Sequence, residues 1–391
     1  MSSTGFHTKV SAEMASIFKI LSLLPVGFLI CRIGLAQSTA PANALSLLKS
    51  VPYTPIKNQA NSGTCWSFSI TSLVESQSIK NGLGEFDLSE MFTVRNIYIE
   101  KARNYILRQG KAQFGPGGLG HDVIYSLENY GALPEGVYSG LVLGEKYHNH
   151  SKLDTKLKLY LDSLLTMRPI PNNWMEGFQS ILDDHLGKPP EKFVFKEKQY
   201  TPKTFASEVL HFDARDYINI TSYTHHPFYT PFILETPDNF LNGVYYNIPL
   251  DEMIRLTERA VDLGYSVMWD ADVSNEFFRQ NDGFAMQWKN EAPRNRDINP
   301  DDEEVKYDQA TRQILYENLT TQDDHLMHVV GVKRSKGGKK FFMVKNSWGE
   351  VGPFKGFINV SEAYFAINTI TLVLPRAVLD NALQTKLGVN K

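Results

Sequence analysis

The stretch that most constrains this chain runs Asn58-Gln59-Ala60-Asn61-Ser62-Gly63-Thr64-Cys65-Trp66-Ser67-Phe68-Ser69. Small and polar turn formers lead straight into a segment whose apolar positions, Trp66, Ile70, Leu73 and Val74, recur at the spacing of one helix face. Asn81-Gly82 supplies the stop. Cys65 stands on the junction, where first-turn N–H groups without intrahelical partners and the helix dipole favour an anion. A thiol placed there has a lowered pKa, and the thiolate is the nucleophilic form. A lone cysteine is otherwise a small buried hydrophobe, so its meaning depends on what the rest of the chain brings to it.

With 391 residues the chain can bury a large core, as one domain or two lobes. It is 42% hydrophobic and 21% charged, an ordinary globular balance. The formal charge of -3 comes without a basic block, which argues against nucleic-acid binding. Residues 15 to 35 are mostly apolar, with Lys19 near their start and Gly34-Leu35-Ala36 as a small-x-small cleavage signal. This reads as a signal peptide over residues 1–36, with Met14 a candidate start, and points to an exported, periplasmic or extracellular bacterial protein. A retained membrane anchor is the alternative, but Pro25 and Arg32 interrupt the run. Bulky Phe28, Leu29 and Ile30 make Cys31 a poor lipidation site. Cleavage removes Lys9, Lys19, Arg32 and Glu13, taking the charge from -3 to -5 and leaving Cys65 as the lone thiol, without an internal disulfide.

In order, Ser46–Pro55 reads as extended, Ser89 to about Arg108 as a helix, and Phe114–Gly120 as a glycine-rich loop that lets something approach the backbone closely. Helices are expected over Asp122–Tyr130, Lys146–Leu165 and Asp251–Leu263, and a short strand over Ser266–Trp269. Between Pro169 and Pro249, prolines and aromatics dominate and short β-like runs are expected. His225-His226 has no third ligand at a metal-site spacing, so a structural role is expected for the pair. Pro293–Asp308 is charged and reads as a surface loop. His325–Val332 reads as a strand, Lys333–Lys340 as a turn and Phe341–Asn346 as a return strand. Pairing His325 with Asn346 centres that turn near Ser335-Lys336, so both side chains fall at one end of the hairpin. An amide oxygen there can hold one imidazole nitrogen and leave the other to face a thiol, giving a nucleophile, a base and an orienter. His328 is the rival base, but residues 325 and 328 of a strand point to opposite faces.

Gln59…Cys65-Trp66-Ser67-Phe68, then His325, then Phe342-Met343-Val344-Lys345-Asn346-Ser347-Trp348-Gly349 resemble, in order and wording, the papain-like cysteine peptidases. Tyr130-Gly131-Ala132-Leu133-Pro134-Glu135, Tyr246-Asn247-Ile248-Pro249-Leu250 and Val267-Met268-Trp269-Asp270-Ala271-Asp272-Val273-Ser274 resemble one branch, that of bleomycin hydrolase and aminopeptidase C. The resemblance implies an α+β, papain-like two-lobe fold, a helical lobe plus a β-barrel-like lobe with an inserted segment. The expected divisions are 37–150 for the helical lobe with the nucleophile, 151–245 for an insertion added to the second lobe, and 246–391 for the β-rich lobe and tail. It implies Cys65 as nucleophile, His325 as general acid/base and Asn346 as its orienter. Gln59 and the Cys65 N–H would form the oxyanion hole, Trp348 would shield the imidazole, and Gly117-Gly118 would border the substrate cleft. No cofactor and no metal are implied; the partner is a peptide or protein substrate.

The sequence departs from the family pattern in places. Ser62 stands where many papain relatives carry a disulfide cysteine, so that staple is missing here, as it is in the bleomycin hydrolase branch. A signal peptide is unexpected in that branch, whose tail carboxylate meets the substrate's amino group inside a hexameric ring. Only a short tail follows the last strand-like run, Ile370–Leu374, which leaves both the hexamer and the aminopeptidase mode open. The expected function is a cysteine peptidase working through a thioester, aminopeptidase-like. An open-cleft endopeptidase and a catalytically silent peptide-binding protein are the alternatives.

Overall fold

The computed structural model describes residues 45–142, 144–293 and 298–389. The signal segment 1–36, Cys31 and Lys391 lie outside them. After a lead-in strand, β1 (Leu45–Ser50), come helices α1 (Cys65–Lys80), α2 (Glu90–Leu107), α3 (Gly120–Tyr130), α4 (Ser151–Leu165), α5 (Trp174–Leu186) and α6 (Pro202–Glu208), with a small hairpin of β2 (Phe193–Phe195) and β3 (Lys198–Tyr200). Local chemistry sets their ends: the Ser89 hydroxyl accepts from the Phe92 N–H and starts α2, and Thr201 does the same for Thr204 ahead of Pro202. Leu153, Leu157, Leu161 and Leu164 form the single buried stripe of α4, and Phe178, Leu182 and Leu186 that of α5. The sequence predicts a one-faced α1, but this helix is buried on nearly all sides, Ser67, Ser69, Ser72 and Glu75 included. The Ser67, Ser69, Ser72 and Ser78 hydroxyls and the Glu75 carboxylate are satisfied internally, whereas Ser76 Oγ has no partner among the described residues. Glu75 takes hydrogen bonds from Thr54 (2.5 Å), Lys57 (3.1 Å) and the Leu88 N–H (2.9 Å).

The second half is organised by a sheet of β4 (Tyr217–Thr221), β5 (Pro231–Ile233), β6 (Val244–Asn247), β7 (Val267–Ala271), β8 (Phe278–Arg279), β9 (Phe284–Ala285), β10 (His325–Ser335), β11 (Lys340–Lys345), β12 (Phe357–Ser361) and β13 (Thr369–Pro375). Its order is β5-β6-β4-β13-β7-β10-β11-β12-β9-β8, with β1 also paired to β10. The β-barrel-like lobe expected from the sequence is therefore an open sheet. Its edges, β5 and β8, stand at opposite ends of the strand order and are not paired with each other. Helices α7 (Leu250–Asp262), α8 (Gln309–Glu317), α9 (Glu362–Asn368) and α10 (Asn381–Leu387) complete the described chain. None of its helices is long and apolar enough to cross a membrane.

Alternation along β7 sorts the two faces. Val267, Trp269 and Ala271 pack with Met253, Ile254 and Phe365, while Met268 shares a core with Cys65, Ile70 and Leu326. Segment 151–245, expected as one insertion on the second lobe, divides between the two cores. Leu153–Leu210 bury against the helical core, and Tyr217–Asn247 extend the sheet. Leu383, Leu387 and Val389 join the α7 core, and Lys386 binds Glu252 at 3.0 Å, so α10 lies on the sheet face away from α1.

Candidate active site

The turn before α1 holds its shape through two contacts. Gly63 has φ +65, and a Cβ there would stand 2.9 Å from Pro116 Cβ, so only glycine fits. The Ser62 hydroxyl donates to the Gln59 carbonyl at 2.7 Å. Cys65 is the first residue of α1, and its sulfur accepts from the backbone N–H groups of Trp66 and Leu326. The second contact sets the thiol against the His325–Leu326 peptide at the start of β10. Trp66 anchors the glycine loop by donating its indole N–H to the Pro116 carbonyl at 2.9 Å.

His325 Nε2 meets Asn346 Oδ1 at 2.7 Å, which leaves Nδ1 as the ring nitrogen for chemistry. The hairpin register differs from the expected one: His328 pairs with Lys345 and Val329 with Val344, then a bulge at Val330 moves Gly331 opposite Met343. His325 itself pairs with Ala271 of β7, and Asn346 reaches it from just beyond β11. Asn346 is fixed in turn, donating to Gln280 Oε1 at 3.0 Å. The Trp348 ring lies over the imidazole, centroids 4.6 Å apart, and Phe278 meets Trp348 edge-on. His328 points into the interior, where its Nδ1 meets the Ser72 hydroxyl at 2.9 Å. Burial and the Lys345 charge hold it neutral.

Two backbone hydrogen bonds stitch the cysteine and asparagine loops together: Gln59 N–H to the Ser347 carbonyl (2.8 Å) and Gly349 N–H to the Lys57 carbonyl (3.1 Å). The Ser347 hydroxyl donates to Gln59 Oε1 at 2.6 Å, which turns the amide so that its N–H groups stay available as donors. A carbonyl oxygen held between that amide and the start of α1 would sit in an oxyanion hole of the expected kind.

Electrostatics here differ from the helix-terminus expectation of a lowered thiol pKa. Burial pushes the Cys65 thiol up to about 12, and Asp323 and Asp270 add to the rise, against the Leu326 and Trp66 N–H groups. Burial also lowers His325, although the Asn346 hydrogen bond and Asp324 oppose it. Desolvation thus outweighs the helix dipole at the thiol, and burial holds both groups toward their neutral forms.

Gly117 and Gly118 lie where close approach requires glycine. A Cβ on Gly118 would stand 2.9 Å from the Trp66 ring, and one on Gly117 would overlap the Asp238 carboxylate. Lys101 sits beneath this loop, donating to the Gly115 and Gly117 carbonyls. Sequence reasoning gave no role to Leu326, Gln280, Phe278, Asp238 and Asp323, nor to Asp270, which it met only within the Val267–Ser274 motif. It also found no third ligand for His225-His226. Glu235 supplies one from the loop just beyond β5, accepting from both rings at 3.2 and 3.0 Å. These hydrogen bonds and the stacking of His226 on Phe232 account for the pair as structure.

Residues 122–390 match the Peptidase C1-like family model, a span that takes in His325 and Asn346 and begins after Cys65. The chain belongs to the Peptidase C1-like family. Among curated relatives, this peptidase is 23% identical to aminopeptidase G of Lactobacillus delbrueckii subsp. lactis, over 86% of this chain and 84% of that one. It is 23% identical to bleomycin hydrolase of Gallus gallus, over 80% and 78%. With aminopeptidase C of Listeria monocytogenes the identity is 22%, over 84% and 81%. The crystal structure of PepW from Lactobacillus rhamnosis superposes with a TM-score of 0.70 at 20% identity, covering 90% of this chain and 85% of that one. The peptidase thus has the papain-like fold and belongs with the bleomycin hydrolase branch. It is a papain-like cysteine peptidase.

Proposed function

We propose that this peptidase removes residues from the amino termini of peptides, with Cys65, His325, Asn346 and Gln59 in the catalytic roles. The observation that carries the assignment is the pairing of His325 Nε2 with Asn346 at 2.7 Å, on the residue preceding the N–H that holds the Cys65 sulfur. In this reading His325 Nδ1 takes the thiol proton as sulfur adds to the scissile carbonyl. The oxyanion collects hydrogen bonds from Gln59 and the Cys65 N–H, each worth about 3 kcal/mol. The same nitrogen then gives its proton to the leaving amine, forming the thioester, and afterwards activates water to release the acid.

The preference for free amino termini is supported by relatives that bear the names aminopeptidase G and aminopeptidase C. Comparing alanyl- and N-acetylalanyl-amidomethylcoumarin tests it. The expected result is a kcat/KM at least about tenfold higher for the free amine. Equal rates would identify an endopeptidase with an open cleft.

A further inference from the structure

A cavity of about 650 Å³ opens beside the glycine loop, lined among others by Gln113, Glu235, Asp238, Tyr316, Glu317 and Asp323. It is joined to the nucleophile through two of its carboxylates. Asp238 lies directly over Gly117, where an extended peptide following Gly117-Gly118 would run into it. Asp323 stands just ahead of His325, and its charge reaches the Cys65 sulfur together with that of Asp270.

Asp270 is the independent sign that this charge is aimed at something. It is 0% exposed, on the same β7 face as Met268, the face toward α1. Thr371 donates to its Oδ2 at 2.9 Å, but among the described residues no N–H or hydroxyl donor reaches its Oδ1. The neighbour it meets is another carboxyl, Asp323, and the two can hydrogen-bond only while one of them keeps a proton. A buried carboxylate oxygen without a donor is costly, and like charges beside it raise the cost. The surroundings do not cancel this charge. Lys101 faces Asp238, Asp122, Asp154 and Asp323, but its donors go to the Gly115 and Gly117 carbonyls. Arg312 donates from Nε and Nη1 to the Ser222, Ala366 and Ile367 carbonyls, its Nη2 has no hydrogen-bond partner among the described residues, and its charge faces the Tyr223 and Tyr316 rings. Asp324 is taken by Ser274 and the Val273 N–H, and Asp238 accepts a single hydrogen bond from Gln113 at 2.7 Å. Burial, and after it the like charges of Asp238, Asp324 and Asp122, push Asp323 up to about 7.

We propose that Asp238 and Asp323, backed by Asp270, hold the α-ammonium group of the substrate, and that Asp238 stops the chain from extending past Gly117. This deepens the aminopeptidase reading and rests on it. An ammonium supplies three donors in one compact charge, matching a site that offers acceptors from several sides. The specificity then comes from side chains within the groove. Once the ammonium is seated, the carboxylates no longer oppose a negative sulfur, so the correct substrate also favours its own attack.

Asp238→Asn and Asp323→Asn variants of the full chain test this with free and N-acetylated alanyl-amidomethylcoumarin and with N-acetyl-lysyl-alanyl-amidomethylcoumarin. Asn at 238 keeps the acceptor for Gln113, and Asn at 323 removes a like charge, so both variants are expected to fold. The expected result is a fall of about 10- to 100-fold in the ratio of free to acetylated kcat/KM, carried chiefly by KM for the free amine. An unchanged ratio in variants of a parent that prefers free amines would overturn the proposal and leave the aminopeptidase reading standing. A parent with no preference would overturn both. A loss confined to the lysyl substrate would show that the carboxylates read a basic side chain instead.

Discussion

The two neighbourhoods that meet at Cys65 are made of different materials. On the Trp348 side, His325, Asn346, Gln280, Gln59 and Ser347 form an uncharged chain of imidazole, amides and hydroxyl, each fixed by the next. On the Gly117 side, Asp238, Asp323 and Asp270 crowd carboxylates together and, among the described residues, leave an oxygen without an N–H or hydroxyl donor. The first arrangement is satisfied at rest; the second is satisfied only when something positive arrives. Reaction needs groups already in place, because reorganising them during the barrier crossing would slow it. Recognition gains from groups that are poorly off alone, because the ligand relieves them.

The largest effect that would break this division is on the uncharged side. Cys65→Ala is expected to lower kcat on peptide amides by at least about 10⁴-fold, measured by single-substrate turnover. Persistent turnover would move the chemistry elsewhere. Next comes Gln59→Ala, expected to cost about 10²- to 10³-fold in kcat with KM little changed, as for loss of an oxyanion donor. If KM rose and kcat held, Gln59 would belong with the groups that bind.

The smallest effect sharpens the charged side. Asp323 is held up to about 7, above its unfolded value near 3.8, so ionising it costs the folded state stability. That cost is absent below about pH 4, grows as pH rises and is complete above about 7. Asp323→Asn should therefore raise Tm by about 2 °C at pH 8 and leave it unchanged near pH 4, read by thermal melts across that range. A variant that is less stable at pH 8 would mean that Asp323 serves the fold.

Much of the fold was legible because its signals are local. The thiol turn, the Leu153–Leu164 stripe and the His325 strand each carry their period in a few consecutive residues. Helix α5 was missed although Phe178, Ile181 and Leu182 repeat at helical spacing, because prolines on either side suggested broken strands. The hairpin register slipped because a bulge at Val330 leaves no mark in composition. His325 and Asn346 meet despite this, since side-chain reach tolerates a shift that backbone pairing does not. The carboxylates were invisible as a group: Asp238, Asp270 and Asp323 come from separate elements, and only tertiary packing gathers them. Asp270 offered a faint clue, a charged residue in the otherwise apolar run Val267–Ala271.

The paired strands of backbone at Lys57–Gln59 and Ser347–Gly349 have a mechanical consequence. They clamp the amide that would steady the oxygen to the loop that aims the imidazole, so the two travel as one rigid part if the halves of the molecule shift. Alignment is then inherited from folding instead of being rebuilt at every turnover. Heating should extinguish it in a single step, along with the clamp.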